Sequence, residues 1–139
     1  LTFWAKADTI NVKQHNVNWG STSSSNAFGF WIDSSNDIHF YGHGGSYDYD
    51  TGIDLDKKWH HWTVTYNGNI VRTYIDGEET PNSGISRSLT TTSSALHIGE
   101  RMDNRHYWHG KIDDVRIYPY ALDQSQVKKV KNGGAVSVG

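Results

Sequence analysis

At 139 residues, with 13 basic and 15 acidic side chains and eight histidines, the chain has the size of one domain, spanning 1–139, and enough length to bury its own core. Its balanced charge excludes a cationic footprint for nucleic acid or an anionic membrane surface, and the absence of cysteine excludes a disulfide framework and a thiolate nucleophile. No apolar stretch approaches the roughly 20 residues of a membrane-spanning helix, and an aromatic share of 13 % in a chain of mean hydropathy −0.68 predicts rings at the surface as well as in the core.

The opening run "LTFWAKAD" alternates Leu1, Phe3 and Ala5 with Thr2, Trp4 and Lys6, the period of a strand. Because it begins on Leu1 inside that strand, a preceding segment is expected. "HNVNWGSTSSSN" reads as a loop carrying Asn18 and Trp19. "FGFWI" and "IHFYG", separated by "DSSND", read as a hairpin. "SYDYDTGIDLD" reads as an acidic loop, with Asp48, Asp50, Asp54 and Asp56 at the i, i+2 spacing of calcium loops but without the EF-hand glycine and terminal Glu.

The clearest hairpin is "WHHWTVTYNGNIVRTYIDGEE", where Asn67 and Gly68 join two alternating runs and Asp76 and Gly77 close the second. His60, Trp62, Val64 and Tyr66 share one side of its first strand, and the Val64 side is expected to face the core. "SALHIGER" and "YWHGKIDDVRIYP" give further strands. Asp123 caps a short helix bearing Val127 and Val130, which Gly133 stops. Many short strands with hardly any helix predict an all-β antiparallel sandwich.

Eight histidines raise the question of zinc. His60 and His61 are adjacent on a strand and point to opposite faces, and His106 and His109 have opposite parity if extended, so neither pair forms a closed site. His60 reads as a satisfied strand histidine.

Three stretches together resemble a known family: "KKWHHWTVTYNGNIVRTYIDGEE", "LHIGER" and "HGKIDDVRIYPYALDQSQVKKVKNGG" are similar to the laminin-G-like, concanavalin A-type jelly-roll domains. The first half matches more loosely, through "LTFWAKAD" and "FGFWID". The resemblance implies two antiparallel sheets packed face to face, one concave and one convex, with loops at the rims, a short C-terminal helix and further strands ahead of Leu1. It also implies a calcium ion, whose matching acidic position would be Asp113 or Asp114. Calcium takes about six to eight oxygens, which strand-end loops can expose. The competing reading is that Asp113 caps a turn or pairs with Arg116 or Arg72.

The same jelly roll hosts glycoside hydrolases, in which one strand supplies paired carboxylates about 5 Å apart. No Glu-x-Asp-x-x-Glu run is present, Glu78 and Glu79 sit in the turn after Gly77, there is no Gly-x-Ser-x-Gly elbow, and "YGHGGS" lacks the context of a phosphate loop.

What remains is a binding module without catalysis. Sugars are held by aromatic faces and by polar side chains around them. "GHGGSYDYD" offers His43, Tyr47, Asp48, Tyr49 and Asp50; "ERMDNRHYWHG" offers Arg101, Asn104, Arg105, His106 and Tyr107; Trp19 adds a third loop. Trp108, Trp62, Tyr66 and Phe30 are assigned to the core. The expected function is carbohydrate binding by a lectin-like module of a larger extracellular or cell-surface protein, with a glycan as partner and calcium as a candidate cofactor. A protein-binding adhesion module is the alternative, and a glycoside hydrolase of the same fold ranks below both.

Overall fold

The computed structural model describes residues 1–91 and 94–134. Within them the strands are β1 (Thr2–Ala7), β2 (Gln14–Gly20), β3 (Ala27–Ile32), β4 (Asp37–Phe40), β5 (Tyr49–Asp54), β6 (His60–Tyr66), β7 (Ile70–Ile75), β8 (Glu78–Glu79), β9 (Ile85–Ser86), β10 (His97–Ile98) and β11 (Gly110–Arg116). They are followed by α1 (Gln124–Lys131). All pairings between these strands are antiparallel; one sheet runs β11-β1-β6-β7-β8 with β9 beside β7, and the other runs β10-β2-β3-β4-β5.

The expected sandwich is therefore present, and alternation explains it. Phe3 of β1 and Trp62 and Val64 of β6 face Phe28, Phe30 and Ile32 of β3 and Ile38 and Phe40 of β4 in one buried cluster. Phe3 stacks on Trp62 at 5.8 Å, Phe30 meets both edge-on at 6.0 and 5.3 Å, and Trp108 closes on Trp62 at 6.1 Å. Each such buried side chain contributes about 1.5–3 kcal/mol relative to exposure. Trp62, Phe30 and Trp108 are core residues as expected, and Tyr66 packs against them with its hydroxyl donating to Arg87 O.

Both predicted turns hold left-handed backbone, at Gly68 (φ 95°) and at Asp76 and Gly77 (φ 55° and 81°). Asp123 caps α1 in a reciprocal capping box with Gln126, and Gly133 at φ 79° follows its end. The helix seats Val127 and Val130 with Leu122 against Tyr74 of β7. Tyr74 is paired with Thr63, so this cluster lies on the face of the six-stranded sheet away from the core.

Two stretches read as loops are strands. β2 hides from the period-two pattern because Gln14, His15, Asn16, Val17 and Asn18 are all buried, and four of those five are polar. A loop laid over one face of β2 provides partners for Gln14 and Asn18. β5 hides because its acidic residues point outward while Tyr49 and Thr51 point in. Tyr49, expected at a ligand, is a correction: its ring packs 5.4 Å from Phe40 in the core, and its hydroxyl reaches Thr73 Oγ1 of β7 at 3.1 Å.

Asp113 and Asp114 occupy a β-bulge in β11, where Thr2 pairs with Arg116 but Trp4 pairs with Asp113. Asp114 takes positive φ (52°), Asp113 Oδ1 accepts Asp114 N–H at 2.8 Å, and Arg116 Nε donates to Asp114 Oδ1 at 2.9 Å.

Candidate functional site

Trp31, His39 and Tyr41 stand on the parity opposite to Phe30, Ile32, Ile38 and Phe40, so they emerge on the outer face of the five-stranded sheet. Strand pairing sets His15 opposite Trp31 and Trp31 opposite His39. The rings form a row: His15 to Trp31 at 6.1 Å and 20°, and Trp31 to His39 at 4.5 Å and 18°. His106, from the loop after β10, stacks on His15 at 5.7 Å and 12°, and Tyr41 meets His15 edge-on at 4.7 Å. These rings spend their faces on one another, so the row turns edges and polar atoms toward a ligand rather than an open aromatic platform.

The loop from Gly99 to His109 is fastened across β2 by the buried polar residues that obscured that strand. Asn18 Nδ2 donates to Glu100 O at 2.7 Å while its Oδ1 accepts from Met102 N at 3.1 Å. Gln14 Oε1 accepts from His109 N, and the backbone adds Gly99 N to Asn16 O at 2.6 Å and His15 N to His106 O at 2.8 Å. Facing it, the loop after β4 is tied by Asp48 Oδ1 accepting Gly42 N at 2.8 Å and by the 2.9 Å contact of Tyr41 Oη with His43 Nδ1. His43 and His106 both hold left-handed backbone, φ 63° and 50°, which costs a non-glycine residue about 1–2 kcal/mol.

Between the two loops lies a cavity of about 180 Å³ lined by Lys13, His15, Trp31, Tyr41, His43, Asp48 and Arg101. Burial pushes His15 down to about 3, helped by the neighbouring His106 and Arg101, and burial together with Arg101 and Lys13 lowers His106. Burial raises Tyr41 to about 12, so its hydroxyl stays protonated, and burial also raises Asp48. Arg101 binds Asp103 through Nε at 2.7 Å and through Nη2, holding that carboxylate at about 2. Among the described residues, His15 Nδ1, Trp31 Nε1 and His106 Nδ1 are buried without a protein partner. The cavity thus presents the imidazoles of His15 and His43, the Tyr41 phenol, the Asp48 carboxyl and the cations Lys13 and Arg101, with His15 kept neutral at neutral pH by its burial.

Of the residues expected at a ligand, His43, Asp48, Arg101 and His106 converge here. Tyr47 lies beside Gly42 and Gly44 in the same loop, and Asp50 is exposed on the outer face of β5. Asn104, Arg105 and Tyr107 lie exposed in the second loop, with Tyr107 Oη donating to Asn104 O. Trp19 packs on Phe28 and lines a separate cavity of about 230 Å³ with Leu1, Tyr66, Tyr118 and Tyr120. Lys13, His15, Trp31 and Tyr41 were missed. The ring-bearing residues Trp31, His39 and Tyr41 on the non-core parity of "FGFWI" and "IHFYG" were the readable signal.

Asp113 and Asp114 are exposed and, among the described residues, gather no third acidic or imidazole donor. The Arg116 guanidinium on Asp114 opposes a cation there, so the pair does not fit a calcium shell by itself. Among the described residues, three such donors come together only at Asp33, Asp37 and His39, where His39 Nε2 lies 3.0 Å from Asp33 Oδ2.

Two antiparallel sheets packed face to face, with a loop-built polar cavity on the outer face of one of them, define an antiparallel β-sandwich of the concanavalin A type. The family model for the concanavalin A-like lectin/glucanases superfamily, of the laminin-G type, matches residues 1–128, and the chain belongs to that family. Usherin of Mus musculus is 27 % identical over 88 residues, 59 % of this chain but 2 % of Usherin. Trypanosoma rangeli sialidase in complex with the inhibitor DANA superimposes with a TM-score of 0.72 at 15 % identity, over 94 % of this chain and 22 % of that one. Domain 4 of AbnA, an extracellular arabinanase of Geobacillus stearothermophilus in complex with arabinotriose, gives 0.67 at 23 % identity, over 94 % and 64 %. The chain therefore spans a small part of the curated relative and less than two thirds of each of these structures.

Proposed function

We propose that the chain is a non-catalytic carbohydrate-binding module of a larger extracellular or cell-surface protein, taking its ligand on the outer face of the five-stranded sheet. The observation that carries this reading is the convergence of Lys13, Tyr41, His43, Asp48 and Arg101, from three separate segments, on one cavity over a rigid ring row. Few, fixed polar groups in a concavity are what sugar hydroxyls require. The arabinotriose held by the AbnA domain supports the same reading.

The test is a glycan array of the wild-type chain, His43→Ala and Lys13→Gln, each with and without chelator. Binding that both substitutions weaken is expected, and it should survive chelator because the cavity is lined mainly by nitrogen and hydroxyl groups. Absence of glycan binding, with retention of a protein ligand instead, would favour the adhesion reading.

One observation favours hydrolysis as a second reading: Asp37 and Asp54 are cross-strand partners on the outer face, with Asp33 and Asp50 nearby. Release of reducing sugar that Asp37→Asn and Asp54→Asn abolish would establish it.

A further inference from the structure

The outer face of the five-stranded sheet is electrically divided. At one end stand Lys13, Arg101 and Arg105. Lys13 is exposed, lies 5.7 Å over the Trp31 ring and forms no ion pair among the described residues. Arg101 and Arg105 share a single carboxylate, Asp103, with Arg105 Nε 3.7 Å from it. Asp48 is the other acid of the cavity, and its Oδ1 is occupied by Gly42 N–H. Three cations thus face two carboxylates in a chain whose net charge is −2. The two histidines there sense these cations: besides burial, and for His15 the neighbouring His106, Arg101 and Lys13 disfavour protons on both rings, with Asp103 acting in the opposite sense.

At the other end the sign reverses. Asp37 and Asp54 are register partners, and the carboxyl of Asp37 is raised by its partial desolvation and then by Asp33, Asp50 and Asp54. Trp31 marks the boundary, with Lys13 Nζ 5.7 Å from its ring on the basic side and His39, bound to Asp33, stacked at 4.5 Å on the acidic side.

Because the ring faces are consumed by mutual stacking, charge and hydrogen bonding must supply selectivity. We infer, resting on the binding reading above, that the preferred ligand is a saccharide with one anionic residue, such as a uronic acid, seated at Lys13 and Arg101, with a neutral residue continuing toward Asp37 and Asp54. A neutral glycan leaves the basic end unpaired, and a polyanion carries its next charge onto the four aspartates, where like charges repel.

The test uses calorimetric titration of the whole chain with a disaccharide ending in glucuronic acid, the same disaccharide ending in glucose, and polygalacturonate. The acidic disaccharide is expected to bind at least about tenfold more tightly than its neutral twin, a difference of about 1.4 kcal/mol, and added salt should shrink that gap. Lys13→Gln should remove most of the preference, while Lys57→Gln, a loss of the same charge from an exposed position outside the cavity, should not. Polygalacturonate should bind less tightly per residue, and the pair Asp37→Asn with Asp54→Asn should improve it. Equal affinity for the two disaccharides, still sensitive to His43→Ala, overturns the charge inference and leaves the carbohydrate face standing. Binding of neither disaccharide, with a blank glycan array, overturns both. Tighter binding of polygalacturonate than of the acidic disaccharide refutes the divided face.

Discussion

His15 and Trp31 are direct cross-strand partners whose rings stack on the outer face of their sheet, a nearly inaccessible imidazole bracing a partly buried indole. His39 braces the other flank, so Trp31 is a structural keystone of the cavity wall. Trp31→Ala removes both ring contacts, each worth about 0.5–1.5 kcal/mol. It should lower stability by about 1–3 kcal/mol and weaken ligand binding, while Trp31→Phe retains most of both. Denaturant melts and titration of the two variants check this.

The buried histidines make the fold acid-sensitive. His15 and His61 are held at about 3 and about 4 by burial, so the folded chain keeps them neutral where the unfolded chain binds protons. Stability contributed this way is complete above the ordinary histidine value of about 6.5 and is lost as pH falls toward the folded values. Denaturant midpoints should fall on acidification through that window, and a His61→Gln variant should show a shallower fall. A midpoint that does not move counts against neutral burial of these rings.

His60 has the opposite sign. Burial opposes its charge, but Asp76 at 2.6 Å and Asp56 at 2.8 Å outweigh it and raise its pKa. The bridge stabilises the folded chain below the ordinary value of about 6.5 and weakens as pH rises through the raised folded one. Asp76 also accepts His61 N–H at 2.9 Å from a left-handed turn position. Asp76→Ala should cost about 1–3 kcal/mol, and a His60/Asp76 double-mutant cycle should give a larger coupling in mild acid than in base.

Gly29 lies under the site with φ 146°, and a β-carbon there would come within 2.2 Å of Val17 O and 2.8 Å of Asn18 Cα. Gly29→Ala should destabilise by about 1–3 kcal/mol or more, displace Asn18 and so release the loop from Gly99 to His109, which limited proteolysis would detect. Gly68→Ala meets nothing within 4 Å and bears only its positive φ, so it should cost about 1 kcal/mol.

The sandwich was legible wherever one face of a strand is apolar and the other is not, as at Phe28, Phe30 and Ile32 or along the Asn67–Gly68 hairpin. It was illegible at β2, where Asn18 and Gln14 are buried to hold a loop that is distant in sequence. For the site, the two loops were readable from their chemistry. Their convergence was not, because it depends on the pairing that sets His15 of β2 against Trp31 of β3. Tyr49 misled because it sits among aspartates in sequence while its strand parity turns it inward.

The Asp113–Asp114 bulge lies on β11, the last strand of the six-stranded sheet, which among the described residues pairs with β1 alone. The extra residue breaks the regular spacing that a second molecule's strand would need, and the exposed Asp113 carboxylate and Asp114–Arg116 pair would have to be desolvated by it. A motif that looks like ion chemistry in one dimension is thus, in three, also an irregularity at a sheet margin.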